Sequence, residues 1–466
     1  MRESIKLAWF FVVAIAAWFF LSIDPLDTAL PIGYYNNKRI VQVALVCVIV
    51  SFFCLRIFRC TLFALSREQG LSRPWGVSLV FILASTLLSA NPVHSGLETL
   101  HWVLLIGLFT AGVFVARAGL SETLLALLLV AHGLLVFKAM LNLAFELCGG
   151  VGLRPELILP SVDNIRFFNQ VQAFIIPLLL VALRSPKFGR FAALFLFLNF
   201  LLMLVSGVRG LPLSLMIVGI AGWILLPRLR SNFHYTLLLF VSAFVSYLLI
   251  RVSYPESHLH NDIFRTHSSG RVMIWGELIE SLSWSHLVLG SGSGSYSYSD
   301  FERIEGHPHN SILQFVFEWG GIATIALCVA VLRVLFQAWK SIQNNLHEVP
   351  TIAREGVLIA AAVSALYSLF SGLVVMPVPQ TLIFLYMGLL WGGRIDAWEV
   401  HNRRRLSYRS LVSYPLIFLT LLTYVTLFSA YFVQQGSDPD AKRGPRLWVE
   451  GEQFQEFDQI KLLALP

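Results

Sequence analysis

Charged residues are scarce in this chain, and their scarcity excludes an ordinary soluble protein. Only 13% of the 466 residues are Asp, Glu, Lys or Arg, whereas soluble domains carry about a quarter. Hydrophobic residues make up 56%, and the mean hydropathy is +0.71. The apolar residues form long continuous runs instead of alternating, which excludes a transmembrane barrel. The composition therefore indicates an all-α integral membrane protein.

Motifs for several common functions are also missing. The five cysteines show no CxxC pair or metal-ligand spacing, so we expect neither a disulfide framework nor a zinc site. No Walker lysine motif supports ATP-driven transport. The predicted external loops contain no Asp-x-Asp pair, which argues against an obligatory divalent cation. We therefore predict no cofactor, and we attribute the net charge of +7 to membrane anchoring and not to nucleic acid binding.

The apolar runs predict a polytopic bundle of about 12–13 transmembrane helices. Thirteen segments have suitable length and hydrophobicity. The predicted helices lie near 7–23, 40–57, 75–90, 97–116, 122–147, 169–184, 190–206, 210–227, 235–251, 311–336, 356–376, 379–394 and 411–432.

The distribution of basic residues predicts the orientation of these helices. Most of the 34 Lys and Arg residues fall in alternate connections, which the positive-inside rule assigns to the cytoplasm together with the N-terminus. Residues 1–251 would then hold about nine helices, followed by a large external loop at 252–310 that contains short helices. Further transmembrane helices would follow at 311–432, with a short external tail at 433–466.

One stretch of the large loop combines titratable side chains with a predicted helix start. His307, His309 and Asn310 directly precede an apolar segment of about one bilayer crossing. Ser311 and Gln314 fit a capping box, so we expect a helix to begin at Ser311. The positive end of its dipole would keep the His309 ring neutral, as a general base requires, while Asn310 orients the ring or contacts substrate. The alternative is that the histidines only cap the helix and meet headgroups, and His307 is closer to that alternative.

An arginine occupies a minimal external turn between two apolar helices. The turn is residues 206–210, SGVRG, and its arginine is Arg209. This charge works against the positive-inside pattern, so topology gives no reason for it. A guanidinium matches phosphate oxygens bidentately, and the flanking glycines allow a bulky ligand to approach. The alternative is that Arg209 reaches towards the phosphates of ordinary membrane lipid.

Further residues on the same predicted face extend this basic set. Arg271 and Trp275 lie in a segment of the large loop with helical apolar spacing and interfacial tryptophans. Arg265 precedes that segment, while Arg166 and Asn169 stand just before a middle helix. Together the arginines form a candidate pocket for a diphosphate, whose charge must be stabilised when it leaves. For Arg271 the alternative is an ordinary ion pair with a neighbouring acid.

The ordered set of motifs resembles the O-antigen ligase and polymerase superfamily of bacterial envelope glycosyltransferases. The resemblance covers roughly 160–325, with a compatible helix-rich architecture on both sides. It is carried by RFFNQ at 166–170, SGVRG at 206–210, Arg271-x-x-x-Trp275, the GSGSG connection at 290–294, His307-x-His309-Asn310 and the glycine pair at 320–321. From residue patterns alone, the GSGSG connection is either flexible or tightly turned.

The resemblance implies a GT-C-like enzyme at the periplasmic face of the bacterial inner membrane. Such an enzyme moves a glycan from undecaprenyl diphosphate to an acceptor hydroxyl, with inversion and without metal or nucleotide sugar. By motif position, His309 would be the general base, and Arg209 and Arg271 would hold the diphosphate. The predicted count of thirteen helices departs from the even count of many ligases in the family.

Three functions are weighed on this basis. The leading hypothesis is a ligase whose acceptor is a lipid A-core sugar. The second is a polymerase that extends a growing glycan on its own carrier, with Arg166 and Arg265 available for a second diphosphate. A flippase or exporter of lipid-linked sugars is the third, but it needs polar residues along a membrane path, and Lys138 is the main intramembrane charge.

Overall fold

A computed structural model describes residues 2–26, 34–52, 69–149, 155–158, 165–254, 270–298, 306–345, 351–393 and 410–435. Within these ranges the regular structure is helical and contains no strand. The predicted all-α class is therefore confirmed. The predicted tail at 433–466 falls almost wholly outside the described residues, as does all of the segment 255–269.

The described regular structure consists of α-helices and three shorter helical turns. Short 3-10 turns occur at Pro227–Leu229 and Ser295–Tyr298, and a π-helical turn at Ile352–Gly356. The α-helices are α1 (Arg2–Ile23), α2 (Tyr34–Ser51), α3 (Gln69–Leu87), α4 (Pro92–Leu104), α5 (Ile106–Arg117), α6 (Ser121–Gly149), α7 (Pro155–Ile158), α8 (Ile165–Ala182), α9 (Gly189–Val205), α10 (Gly210–Leu225), α11 (Arg230–Ser253), α12 (Arg271–Glu280), α13 (Trp284–Leu289), α14 (Ser311–Asn344), α15 (Val357–Tyr367), α16 (Pro377–Gly392) and α17 (Ser410–Gln435).

Several of these helices have the length and hydrophobicity of membrane spans. Among the described residues, 5 spans reach 18 residues or more with few charges, and shorter apolar helices accompany them. A helix of about 20 residues crosses the hydrocarbon core. The protein is therefore a polytopic membrane protein. The five longer spans are Ile5–Ile23, Pro92–Arg117, Ser121–Gly149, Pro227–Ser253 and Ser311–Asn344.

Hydrogen bonds between connections show which connections lie at the same end of the bundle. At one end the Arg184 guanidinium donates to the Arg228 carbonyl (2.6 Å). Arg228 in turn forms an ion pair with the buried carboxylate of Glu355 (2.8 Å) and donates to the Asn345 carbonyl (3.2 Å). These residues all belong to connections that the alternating pattern predicts on one side of the membrane. We call this the opposite end.

The other end carries the large loop and is called the site end. Here the Tyr254 hydroxyl, after α11, donates to the Leu147 carbonyl near the end of α6 (2.9 Å). The Ser206 hydroxyl, after α9, donates to Asn169 in α8 (3.0 Å). The contacts at both ends agree with the predicted alternation of the described helices.

One predicted helix is wrong in its last part. The segment 356–376 was expected to be helical throughout, but α15 ends at Tyr367 and residues 368–376 form a chain of turns before α16. Two prolines begin α16, and Met376, just before them, has extended dihedrals (φ −77°, ψ 137°). Proline disfavours the helical region for the residue that precedes it, which explains why the helix cannot continue into α16. The result is an irregular 368–376 segment within the apolar bundle.

The GSGSG connection is tightly turned and buried. It packs against α14 where that helix is interrupted at Gly320, which has φ 83° and ψ 163°. The Ser291 N–H donates to the Phe317 carbonyl (2.8 Å), and the Gly292 N–H donates to the next carbonyl along the helix (2.9 Å). Carbonyls released by the break therefore receive partners, as backbone groups in a membrane bundle require.

Candidate active site

Residues 307–310 form a short turn before the start of α14, which we call the histidine turn. The helix begins at Ser311 as predicted, but the predicted capping box is wrong. Asn310 is the capping residue, and its side-chain oxygen accepts from the Ile312 and Leu313 N–H groups (3.0 and 3.1 Å). The Ser311 hydroxyl instead donates to the Ser368 carbonyl (2.9 Å). The cap thus fixes the residue directly after His309.

His309 adopts a conformation that is uncommon for a residue other than glycine. Its φ is 55°, in the left-handed region. The His309 N–H donates to Nδ1 of His307 (3.2 Å), and the two rings meet edge to face with centroids 4.3 Å apart. His307 Nδ1 is thus an acceptor, so the neutral ring carries its proton on Nε2. His307 is buried whereas His309 is partly exposed, so His309 is the ring accessible to a ligand.

The large loop is tied to this turn through a tryptophan. Trp275 in α12 donates its indole N–H to the Pro308 carbonyl (2.8 Å). Arg271 lies at the start of the same short helix, directly after Gly270 in a left-handed conformation (φ 78°). Positions four apart share a helix face. Arg271 is therefore on the side of α12 that meets the histidine turn.

The turn that carries Arg209 lies beside two other elements of the site end. Arg209 directly precedes α10. Its neighbour Gly210 is packed so closely against Tyr367 and Phe370 that an added Cβ would lie about 3.0 Å from each side chain. The hydrogen bond from Ser206 to Asn169 joins the same turn to α8. Asn169 is thus a buried support of this turn.

The irregular 368–376 segment connects these pieces. The Ser368 carbonyl accepts from both the backbone N–H (3.0 Å) and the hydroxyl of Ser311. The hydroxyl of Ser371 accepts from the Gln170 amide (2.9 Å). Gly372 lies directly against the His307 ring, with no room for a side chain. The segment therefore contacts the histidine turn, α8 and the start of α10, although sequence reasoning assigned it no role.

Two of the predicted basic residues cannot be located in the same way. Arg265 lies outside the described residues. Arg166 is in the first turn of α8, but its side chain lies outside the described part of the structure. The structure therefore brings together Arg209, Arg271 and the two histidines at the site end, and gives no arrangement for a second basic pair.

An apolar groove runs beside α10 from the site end towards the opposite end. Its volume is about 450 Å³, and it lies between α10 and α11, with walls from α8, α9 and α15. Pro212, three residues after Arg209, lines one end, and Trp223 and His234 line the other. Met216 and Ile220 line it and are also exposed on the lipid-facing surface. The groove is thus open to the side of the bundle.

The comparison with protein families agrees with the resemblance. Residues 193–328 match the family model described as O-antigen ligase. The matched region runs from α9 into α14 and contains Arg209, Arg271, Trp275 and the histidine turn. No curated protein matches the chain. Over residues 193–328, this polytopic membrane protein is therefore similar to the O-antigen ligase family.

Proposed function

We propose that the protein is a ligase-type glycosyltransferase that acts at the periplasmic face of the bacterial inner membrane. Its donor is a glycan on undecaprenyl diphosphate, and its acceptor is a sugar hydroxyl of lipid A-core. The observation that carries this proposal is the O-antigen ligase domain with a partly exposed His309 and two arginines at one end of the bundle. No metal or nucleotide takes part in the proposed reaction.

His309 is the proposed general base. The acceptor oxygen attacks the anomeric carbon and gives its proton to the His309 ring, while the bond from that carbon to the diphosphate oxygen breaks. Undecaprenyl diphosphate leaves with the electron pair, and the configuration at the anomeric carbon inverts. Support comes from the fixed backbone of His309, whose N–H is held by His307 and whose successor caps α14. Such rigid placement of a base favours proton transfer in one geometry.

Arg209 and Arg271 are the proposed clamp on the diphosphate. Negative charge grows on this group as it leaves, and a guanidinium placed beside it stabilises the transition state. Arg209 stands at the start of α10, where backbone N–H groups and the helix dipole add to the favourable field for an anion. Arg271 is similarly placed at the start of α12, which is tied to the histidine turn through Trp275.

The apolar groove is the proposed seat of the carrier's hydrocarbon chain. It begins close to Arg209 and follows α10, whose 16 residues span about 24 Å at 1.5 Å per residue. A hydrocarbon chain that moves from the bilayer into the groove stays in apolar surroundings, so its placement there would be favoured by packing contacts and not by transfer out of water. A donor whose diphosphate lies at Arg209 would therefore have its chain directed along the groove.

Deleting the gene in its native host tests the proposed acceptor. A ligase is supported if lipid A-core on a lipopolysaccharide gel loses all attached polymer while carrier-linked polymer accumulates. A core that bears a single repeat unit would indicate a polymerase instead. Unchanged lipopolysaccharide would contradict both. Purified wild-type protein should then transfer glycan from a lipid-diphosphate donor to lipid A-core, which tests the reaction directly.

A further inference from the structure

A buried arginine lies below the site, in the second turn of α2. Arg39 is only 1% exposed, and the sequence did not single it out. An ionisable residue inside a membrane bundle is costly, so it points to a role that offsets the cost. Arg39 is too deeply buried to be one of the groups that meet substrate. Its role must be exerted through the residues that it contacts.

The guanidinium of Arg39 connects several elements. It donates hydrogen bonds to four oxygens: the Tyr35 hydroxyl (2.9 Å), the Val375 carbonyl (2.7 Å), the Gln42 amide oxygen (2.6 Å) and the Gln380 amide oxygen (3.0 Å). It also lies 3.3 Å from the Nε2 atom of His101 in α4.

A second layer of hydrogen bonds extends this network. The Gln42 amide donates to the Pro377 carbonyl and to the Thr381 hydroxyl (both 3.0 Å). The His101 Nδ1 atom lies 2.7 Å from the Tyr424 hydroxyl in α17. Four helices, α2, α4, α16 and α17, are therefore joined around one guanidinium.

The network ends on the irregular 368–376 segment. Val375 is near the end of that segment, and Pro377 is the first residue after the segment. The segment also contacts the histidine turn, α8 and the start of α10 that carries Arg209, and its last residues pack against Phe315 and Trp319. A segment of turns has no helical hydrogen-bond ladder to hold its shape, so its position depends on such contacts. Arg39 supplies one of them from inside the bundle.

We propose that Arg39 is a positioning residue for glycan transfer. It fixes one end of the 368–376 segment through the Val375 carbonyl and thereby holds the histidine turn and the start of α10 in their relative positions. This inference rests on the proposed function. Arginine suits the task because its planar fork bonds acceptors from several directions at once, whereas the ammonium group of lysine acts as a single point charge.

The test compares Arg39→Lys and Arg39→Met with a matched arginine at the opposite end. Arg228→Lys is the control, because Arg228 also joins a side chain and a backbone carbonyl, far from the 368–376 segment. Transfer from a lipid-diphosphate donor and the melting temperature are measured for each purified protein. Displacement of reacting groups by about 1 Å can cost about 100-fold, so we expect kcat to fall about 10-fold to 100-fold for Arg39→Lys. We expect Arg228→Lys to keep kcat within about twofold even when its melting temperature falls equally.

A third variant separates the contact with Val375 from the rest of the network. Tyr35→Phe removes one acceptor of Arg39 and leaves the Val375 contact in place, so kcat should change by less than about threefold. The inference is overturned if folded Arg39→Lys keeps the wild-type kcat, or if Arg228→Lys loses as much as Arg39→Lys does. If Arg39→Met does not fold, Arg39→Lys decides the matter. Absence of transfer by the wild-type protein would instead contradict the proposed function.

Discussion

His309 combines an uncommon backbone conformation with partial exposure. Its left-handed φ is secured on one side by the hydrogen bond to His307 and on the other by the Asn310 cap of α14. Sparsely populated conformations of this kind persist only where the surroundings enforce them, and they cluster at functional sites. The neighbouring ring is buried against Gly372. The two histidines therefore differ in accessibility, and in the proposed mechanism His307 supports the turn while His309 acts as the base.

Replacing the proposed base should abolish most of the transfer. We expect His309→Ala to lower kcat by about 100-fold to 10,000-fold, the usual contribution of a general base. Turnover is measured with purified protein, a lipid-diphosphate donor and a lipid A-core acceptor. His286→Ala, another histidine of the large loop, is the control and should stay active. Near-normal turnover by folded His309→Ala would remove His309 from the proposed mechanism.

The proposed clamp can be tested by a change that keeps its charge. Arg209→Lys retains a cation but loses the bidentate fork, and hydrogen bonds to charged groups are worth about 1.5–3 kcal/mol. We therefore expect kcat/KM for the donor to fall about 10-fold to 100-fold. Arg190→Lys, at an exposed position near the opposite end, should have no effect. Equal kinetics for both variants would mean that Arg209 contacts ordinary lipid headgroups.

At the scale of single residues the sequence predicts types better than partners. The motif order brings His309, Arg209 and Arg271 to one end, and the structure agrees for the described residues. The cap was assigned to Ser311 instead of Asn310 because both residue types are good caps and the choice depends on backbone angles. Arg39 was overlooked for a similar reason. Its position near a helix start suggested exposure, and only the packing of α4, α16 and α17 reveals its burial.

Helices could be predicted where a segment is both hydrophobic and long enough. The prediction failed where an apolar stretch is not helical. The 368–376 segment reads SLFSGLVVM, so hydropathy cannot distinguish it from the helix before it. Pro377 and Pro379 were the available signal, together with the Ser371-Gly372 pair, because these residues favour turns and interrupt helices. The hydropathy of residues 368–376 therefore predicts a helix at the place where the structure has the segment that connects the site.

The break in α14 should be intolerant of side chains. Gly320 has a positive φ, and an added Cβ would overlap the Val288 carbonyl group. We expect Gly320→Ala to destabilise the fold by at least about 1–3 kcal/mol and to lower the melting temperature. Gly276→Ala, in α12 with open space around it, is the control and should be neutral or more stable by up to about 1 kcal/mol. Equal melting temperatures would show that the break relaxes at little cost.

Filling the groove should raise KM for donors with a long hydrocarbon chain more than for donors with a short one. Gly219 lines the groove and has no atom within 4 Å of an added Cβ, so Gly219→Phe can fold with its ring in the groove. Loss of about ten carbon–carbon contacts of the chain, at about 0.1–0.2 kcal/mol each, should raise KM for a long-chain donor about tenfold. A donor with a very short chain should be unaffected. Gly76→Phe, equally open but in α3, is the control, and equal effects on both donors would contradict the proposed seat.

The molecule as a whole has two chemically distinct ends, and their proposed orientation is testable. In a cysteine-free background, Ser285→Cys lies exposed at the site end and Lys187→Cys lies exposed at the opposite end. A membrane-impermeant maleimide applied to spheroplasts should label the first and not the second, while lysis should make both reactive. Labelling of Lys187→Cys alone in intact spheroplasts would reverse the proposed orientation.

The order of the helices can be predicted from the sequence, whereas the groove between them cannot. The alternating order of the helices follows from hydropathy and the basic residues, because each crossing reverses the side of the next connection. The groove does not follow from any such pattern. It exists because α10 and α11 separate after a short turn, and that separation is set by packing against α8, α9 and α15.

The sideways opening of the groove determines how a lipid would reach the site. Met216 and Ile220 are exposed where they line it, so a hydrocarbon chain can enter from the bilayer without crossing water. Delivery of the proposed donor would then be a two-dimensional search within one leaflet, governed by the mole fraction of carrier among the lipids and not by its bulk concentration. The sugar polymer of that donor would remain in the aqueous phase throughout. Entry by this route would not depend on how many repeat units the carrier holds.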